Sequence, residues 1–189
     1  MLLAAAVLVA ASSCSDKAYV KGTLTGAHDT QVVVKQLSGN TLVAMDTLKT
    51  DASGAYSCKI DVLKGQPQFV YFFKGDTKVA SLLLQKGDKV KVVSDTLGKY
   101  SVEGSGESEK LRQVEEDFSA FLDKFSADAA AGDNAAASKD YIDYYRGRVK
   151  YIMTNSKSLT SIPVLYQKVN ENFPIFSQTT DAILIQNVY

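Results

Sequence analysis

Histidine and cysteine are scarce in this chain of 189 residues, which contains one histidine, His28, and two cysteines, Cys14 and Cys58. Zinc sites and redox-active Cys-x-x-Cys pairs need several of these side chains at short spacings, so both are excluded within this chain. His28 lies in a predicted turn, where a side chain is solvated, and we assign it no catalytic role. We therefore predict a protein that is not an enzyme and that needs no metal and no cofactor.

The chain also lacks net charge, because 21 Lys and Arg residues balance 21 Asp and Glu residues. A nucleic-acid-binding protein needs a basic surface that displaces counterions from phosphates, so the balance argues against a nucleic-acid partner. Hydrophobic residues make up 46% of the chain and charged residues 22%, values that are typical of globular proteins rather than disordered ones. The length is sufficient for one large domain or two small ones.

Residues 1–13 are predicted to be a signal peptide rather than part of the fold. An apolar stretch of ten residues, 2–11, is followed by Ser12-Ser13-Cys14. At 1.5 Å per residue this stretch spans about 15 Å, half of a bilayer core, so it is too short for a transmembrane helix. The ending of small residues before a cysteine resembles a bacterial lipobox, in which Cys14 would carry the lipid. The alternative is a soluble secreted protein with a free Cys14.

Residues 14–103 are predicted to form a lipid-anchored tail and an antiparallel β-sandwich or partly open barrel. Apolar residues alternate with a period of two, and turn residues recur every eight to twelve positions. Parallel pairs would need crossover helices, so antiparallel pairing is expected. The predicted strands are 18–24, 31–37, 42–50, 55–61, 68–74, 79–85, 89–93 and 100–103.

Two features of these strands predict how they are covered. Tyr56, Cys58 and Ile60 share one face of a strand, so we expect Cys58 to be a small side chain of the core. The segments 69–73 and 82–84 are apolar on both faces, and such strands must be covered by two layers. The opposing sheet would supply one layer, and the helical half of the chain is the expected second layer.

Residues 104–189 are predicted to be a helical region of three to four helices. Ser105 is the expected N-cap of the first helix, and apolar residues between Leu111 and Phe125 recur at spacings of three and four. A loop is expected at 129–137, followed by a second helix that carries Tyr141 and Ile152.

The end of the helical region is predicted to be incomplete. A third helix is expected at 162–170, and a fourth begins at Ser177. This last helix reaches Tyr189 without a glycine, a proline or a basic last turn, a pattern that favours a chain cut short before a following domain.

Several short motifs are shared with one family of envelope proteins. They are Asp46-Thr47, Thr50-Asp51, Gly54-Ala55-Tyr56, Lys86-Gly87-Asp88-Lys89-Val90 and Tyr100-Ser101-Val102-Glu103-Gly104-Ser105. With the lipobox-like start and the order of strands and helices, the chain resembles the N-terminal region of Gram-negative thioredoxin-like thiol-disulfide interchange lipoproteins. The resemblance implies a β domain of unknown function, followed by helices and then by a thioredoxin-like domain with a Cys-x-x-Cys pair. It transfers no catalytic residue to this chain.

One cluster of side chains on the second predicted helix is a candidate binding site. It contains Tyr141, Tyr144, Tyr145, Arg146, Arg148 and Tyr151. Aromatic rings with interleaved arginines can bind sugars, peptides or nucleic acid. The alternative, which we favour, is that the rings pack on the sandwich and the guanidinium groups stack over them at its rim. The carboxylates of Glu115-Glu116-Asp117 are interpreted as a solvated helix face.

The sequence leaves two hypotheses for function. The first is a lipid-anchored, non-catalytic accessory module of a thiol-disulfide oxidoreductase-type lipoprotein in the cell envelope. Its partners would be the membrane, through the lipid, and a C-terminal thioredoxin-like domain. The second is a stand-alone lipoprotein that binds a glycan or a peptide. The oligomeric state and the choice of membrane stay open.

Overall fold

The computed structural model describes residues 16–177, 179–186 and 188. Cys14 and the predicted signal peptide at 1–13 lie outside the described residues. Within these residues, the first half of the chain forms eight strands and the second half contains four helices and a small hairpin. The strands are β1 Lys17–Leu24, β2 Gln31–Ser38, β3 Thr41–Lys49, β4 Ala55–Asp61, β5 Gln68–Lys74, β6 Thr77–Leu84, β7 Lys89–Ser94 and β8 Tyr100–Glu103.

These strands form two four-stranded sheets that pack face to face. The β1 sheet has the order β4-β1-β7-β8, and the β2 sheet has the order β3-β2-β5-β6. Val20 and Val92 of the β1 sheet share one buried core with Val34 and Phe72 of the β2 sheet. The prediction of an α+β fold with a β-sandwich and a helical segment is confirmed, and every predicted strand is present to within two residues at each end.

One pair of strands differs from the antiparallel pairing that the sequence predicts. β1 and β7 are parallel, with Tyr19 opposite Lys89 and Leu24 opposite Ser94. Parallel neighbours need a long crossover connection, and a helix usually provides it. Here the crossover consists of the β2 sheet and β4, so the chain needs no helix to return to the β1 sheet in the same direction.

The two strands that are apolar on both faces are covered twice, as the sequence predicts. Val70 of β5 and Leu82 of β6 face the sandwich core. On the opposite face, Phe69 and Leu83 pack against Leu111 of the first helix, α1, which spans Gly106–Ala130. The helical half therefore begins as the outer layer of the β2 sheet.

The junction between sandwich and helix depends on two small residues. Ser105 caps α1, because its hydroxyl oxygen accepts a hydrogen bond from the backbone N–H of Ser108 at 3.4 Å. Gly104, just before it, has a φ of +89°, and a Cβ there would lie 2.1 Å from the carbonyl oxygen of Lys89. Only glycine therefore fits this position without a shift of β7.

The second helix, α2, spans Asn134–Thr154 and begins earlier than the sequence predicts. The expected loop at 129–137 is reduced to the residues between Ala130 and Asn134. Asp133 is the N-cap of α2, and its side chain accepts a hydrogen bond from the N–H of Ala136 at 2.9 Å. The alanines after the cap have the highest helix propensity of any residue, so they extend the helix rather than the loop.

The predicted third and fourth helices are wrong in part. The third, α3, covers only Ser161–Leu165, and residues expected to continue it form β9, Lys168–Asn170. β9 pairs with β10, Phe173–Pro174, and the Asn170 side chain accepts the N–H of Asn172 at 3.0 Å in the turn between them. Asparagine stabilises such turns and competes with helix. The fourth helix, α4, begins at Ala182 rather than near residue 177 and runs to Gln186.

A second core lies between α1, α2 and the C-terminal segment. Its buried residues are Val114, Phe121, Ile152, Val164, Leu165, Ile175 and Phe176. The opposite sides of α1 thus contact two different layers, the β2 sheet and this helical core. Within the described residues, no helix is long and apolar enough to span a bilayer.

Candidate functional site

The predicted tyrosine–arginine cluster lies on the side of α2 that faces α1 and the C-terminal segment, rather than on the sandwich. Tyr144 stacks on Phe121 of α1, with ring centroids 4.2 Å apart. Tyr141 stacks on Phe173 at 5.1 Å, and Tyr145 contacts Phe176 at 5.3 Å. The expectation that these rings pack on the sandwich is therefore wrong, because α1 separates α2 from the β2 sheet.

Every tyrosine hydroxyl of this cluster is hydrogen-bonded within the protein. Tyr141 donates to the carbonyl oxygen of Ile175 at 3.2 Å, Tyr144 donates to Gln167 Oε1 at 2.8 Å, Tyr145 donates to Asp181, and the hydroxyls of Tyr151 and Thr160 are 2.7 Å apart. Burial raises the pKa of Tyr144 to about 12, and the hydrogen bond to Asp181 raises the pKa of Tyr145 to about 12. These contacts join α2 to the C-terminal segment.

Arg148 occupies the centre of the cluster, with only 12% of its side chain exposed. Its Nη2 donates to Asp117 Oδ2 of α1 at 2.8 Å. Its guanidinium lies 5.0 Å from the ring centroid of Tyr144 and 5.5 Å from that of Tyr151. The stacking of a guanidinium over rings is present as the alternative interpretation expects, whereas Arg146 is exposed and takes no part in it. A ligand-binding role for the cluster stays a prediction.

The three consecutive acidic residues of α1 have three different environments, and the expected solvated face holds only for Glu116, because Glu115 and Asp117 are half-buried and accept hydrogen bonds from other elements. Glu115 is only 26% exposed and accepts hydrogen bonds from Lys78 Nζ at 2.6 Å, Ser81 Oγ at 2.8 Å and the Tyr100 hydroxyl at 2.8 Å. Glu115 follows Leu111 by four residues, so both face the β2 sheet. Glu116 is exposed and pairs with Arg112.

A groove of about 1620 Å³ lies along the side of the β1 sheet that faces away from the sandwich core, and the sequence analysis missed it. Tyr19 and Gly22 of β1 line it together with residues from β4, β7 and three turns. Six lysines line this groove, and we call the surface they form the lysine face: Lys21, Lys49, Lys64, Lys86, Lys89 and Lys91.

Strand register brings several of these charges together. Lys89 is opposite Tyr19, and Lys91 is opposite Lys21, in the parallel pair of β1 and β7. Neighbouring strands are about 4.8 Å apart, so Lys21 and Lys91 form a like-charge pair on the same side of the sheet. Such a pair destabilises a sheet. In the pair of β1 with its other neighbour, β4, Lys59 is opposite Tyr19, and the Lys59 amine lies 5.7 Å from the centre of the tyrosine ring.

Carboxylates neutralise only part of the lysine face. Lys49 pairs with Asp29 at 3.0 Å, Lys91 lies 3.6 Å from Glu103, and Lys86 pairs with Asp16. Within residues 16–177, 179–186 and 188, no carboxylate lies within 4.0 Å of the amines of Lys21, Lys64 or Lys89.

Comparisons with known proteins do not assign this chain to a family. No protein-family model matches it, and no curated protein is significantly similar to it. Its function must therefore be argued from its own residues.

The zero net charge of the chain conceals a strong asymmetry between its two halves. Residues 17–103 contain 12 lysines and no arginine against 8 acidic residues, whereas residues 104–189 contain 9 basic and 12 acidic residues. The sandwich thus has a net charge of +4 and the helical region −3. Counting charge by segment is the sequence signal that could have indicated the lysine face, because alternate lysines at 89 and 91 must share one side of a strand.

The two remaining candidate residues lie where the sequence predicts them. Cys58 is half-buried on the inner side of β4 and packs against the sandwich core, and burial raises the pKa of its thiol to about 12. His28 is exposed in the turn after β1. In the part of the chain that the structure describes, no three His, Cys, Asp or Glu side chains are grouped as a metal site would require.

Proposed function

We propose that this chain is a lipid-anchored, non-catalytic module of the cell envelope that positions a thioredoxin-like redox domain relative to the membrane. The lipid would be carried by Cys14, and the redox domain would be encoded after Tyr189. The observation that carries this proposal is the rigid attachment of α1 to the sandwich, since a positioning module must transmit a defined orientation from its anchor to the domain that follows.

Three contacts along one side of α1 make this attachment. The Ser108 hydroxyl accepts from the N–H of Leu83 at 3.1 Å and donates to its carbonyl oxygen at 3.0 Å. One turn later, Leu111 is buried against Phe69 and Leu83. A further turn along, Glu115 accepts three hydrogen bonds from the β2 and β1 sheets. Contacts at three successive turns fix both the rotation of the helix and its angle to the sheet.

The second candidate function is a stand-alone envelope lipoprotein that binds a glycan or a peptide. The lysine face is the observation that favours it. Its amines would select an acidic ligand, and Tyr19 would offer an aromatic surface to a sugar or a side chain.

An insulin-reduction assay tests the positioning role. We expect no turnover by the chain that ends at Tyr189, because a dithiol cycle needs two cysteines whose α-carbons lie within about 7 Å. The chain extended to its natural stop codon should be active, and its turnover should survive Cys58→Ser. Turnover by the short chain that is lost on Cys58→Ser contradicts the proposal, and inactivity of both chains favours the binding lipoprotein.

Labelling of the full precursor with a fatty-acid analogue tests the anchor separately. We expect the label on the natural sequence and none on Cys14→Ala. A label that persists in Cys14→Ala, or that is missing from the natural sequence, removes the anchor from the proposal.

A further inference from the structure

The lysine face extends to the point where the chain enters the sandwich. The N–H of Gly87 donates to the carbonyl oxygen of Lys17 at 3.0 Å, and the N–H of Val62 donates to that of Asp16 at 2.9 Å. Two turns therefore flank the start of β1, and each contributes a lysine of the lysine face, Lys86 in one and Lys64 in the other. From there the groove follows β1 past Lys21.

The chain between the predicted lipid and this point is very short. Cys14 precedes Lys17 by three residues. Even a fully extended chain covers only about 3.5 Å per residue, so these residues span at most about 10 Å. That distance is about one Debye length at physiological ionic strength. An acyl chain on Cys14 would hold the Lys64–Lys86 end of the groove within electrostatic reach of the lipid headgroups.

We propose that the lysine face docks on the anionic headgroups of the membrane in which the chain is anchored. The proposal rests on the acylation of Cys14 in the proposed function and adds a second, electrostatic contact to it. Acyl chains on Cys14 would hold the protein at the bilayer, and a basic surface beside them would add an electrostatic contact with the anionic headgroups. Each lysine near an anionic bilayer strengthens binding further.

Three observations favour a bilayer over a small ligand or a free acidic polymer. The face is the open side of a sheet, and its eight-residue central strand is about 25 Å long. The like-charge neighbours Lys21 and Lys91 repel each other, and Glu103 offsets only the charge of Lys91, so a dense layer of phosphates would relieve the remaining repulsion. The short chain between Cys14 and Lys17 brings one end of the lysine face close to the lipid headgroups, whereas it brings no acidic polymer close to that face.

Vesicle co-sedimentation tests this docking without the acyl chain. The protein is the chain from residue 14 onwards carrying Cys14→Ser. The vesicles contain phosphatidylglycerol and phosphatidylethanolamine, with phosphatidylcholine vesicles as the neutral comparison. We expect binding only to the anionic vesicles, and we expect it to weaken as salt is added.

Substitutions then locate the contact. Lys21→Glu, Lys89→Glu and Lys91→Glu together should reduce the partition coefficient by more than about a hundredfold, because each substitution removes a positive charge and adds a negative one. The matched control carries Lys150→Glu, Lys157→Glu and Lys168→Glu, which change the net charge equally on exposed lysines of the helical region. This control should keep most of the binding. A neutral variant, Lys21→Gln with Lys64→Gln and Lys89→Gln, should lose less binding than the glutamate variant of the lysine face. Circular dichroism checks that each variant is folded.

The outcomes separate this inference from the proposed function. Equal losses in the two glutamate variants, or no binding to anionic vesicles, would overturn the docking. Binding of soluble polygalacturonate through the same lysines, without binding to vesicles, would overturn it in favour of an acidic glycan. Vesicle binding together with an unlabelled Cys14 would leave the docking supported and the anchor refuted. A labelled Cys14 without vesicle binding would leave the anchor supported and the docking refuted.

Discussion

At the scale of single residues, the thiol of Cys58 is the most direct probe of the sandwich. It lies on β4 between Tyr56 and Ile60, which are both buried, and burial raises its pKa to about 12. A thiol reacts as its thiolate, so a native chain at pH 8 should react with a thiol reagent far more slowly than an unfolded one. In a chain carrying Cys14→Ser, we expect rapid labelling of Cys58 only in denaturant, with the fraction modified measured over time by mass spectrometry.

A neighbouring position provides the control for this labelling. Ser57 points to the opposite, exposed side of β4. In a Cys58→Ser background, Ser57→Cys should react within the mixing time in the native protein. Fast labelling of native Cys58 would instead mean that β4 is shifted by one residue, because such a slip moves every side chain to the other face.

At the scale of elements, the hydrogen bonds of Glu115 decide how firmly α1 is attached. Replacing Glu115 by Ala leaves the buried Ser81 hydroxyl and the largely buried Tyr100 hydroxyl without their acceptor. Unsatisfied buried donors of this kind cost about 3 kcal/mol in total. We therefore expect Glu115→Ala to lower the free energy of unfolding by about that amount in urea titrations.

Two variants make this result specific to the contact. Glu116→Ala removes the adjacent carboxylate, which is exposed, and should cost less than about 0.5 kcal/mol. Glu115→Gln keeps one acceptor oxygen and should fall between the two. If Glu115→Ala were as stable as Glu116→Ala, the carboxylate would contribute nothing to the attachment.

The elements that the sequence predicted correctly are those specified by nearby residues. The strand boundaries follow from turns such as Lys86-Gly87-Asp88, where Gly87 adopts a φ of +88° that other residues rarely adopt. The N-cap at Ser105 is likewise specified by residues close to it in the sequence. The parallel pairing of β1 with β7 was not predicted, because alternation along a strand specifies which face is buried but not which strand lies beside it.

Errors in the helical half have the same origin. The turn that Asn170 stabilises, together with pairing to Phe173–Pro174, makes residues 168–170 a strand rather than the end of a helix. Glu115 was assigned to a solvated face because its partners Lys78 and Tyr100 come from two distant strands. The side chains of a helix can be placed on a stripe from their spacing, whereas the surface that covers the stripe depends on the tertiary fold.

At the scale of the whole molecule, the lysine face shows what a local analysis omits. Its charges come from segments between Lys21 and Lys91, and the sheet order β4-β1-β7 brings them together. The net charge of zero conceals a sandwich of +4 beside a helical region of −3. Charge counted by segment indicates which half of the chain is basic, whereas strand order is needed to place Lys21 beside Lys91.

Stability at alkaline pH should depend on groups in both cores. Burial raises the pKa values of Cys58, Tyr71 and Tyr144 to about 12, while an unfolded chain releases these protons near pH 8.5 for cysteine and near pH 10 for tyrosine. Between the unfolded and the folded pKa values the native state binds more protons, so the free energy of unfolding falls as pH rises. Below about pH 7.5 both states are protonated, so the free energy of unfolding no longer changes with pH through these groups.

We therefore expect urea midpoints to be flat with respect to these groups up to about pH 7.5, to decline slightly as cysteine titrates around pH 8.5, and to fall steeply above about pH 10. Absorbance of tyrosinate in the native protein should rise together with loss of helical circular dichroism, since the buried tyrosines ionise on unfolding.

Tyr144→Phe should make the decline above pH 10 shallower, because it removes one of the protons that the native state retains. Tyr166 is exposed, so Tyr166→Phe serves as the matched control and should leave the slope unchanged. If Tyr144→Phe left the slope as steep as Tyr166→Phe does, or if most tyrosines titrated near pH 10 in a chain that stays folded, the packing of α2 against α1 and the C-terminal segment would be wrong.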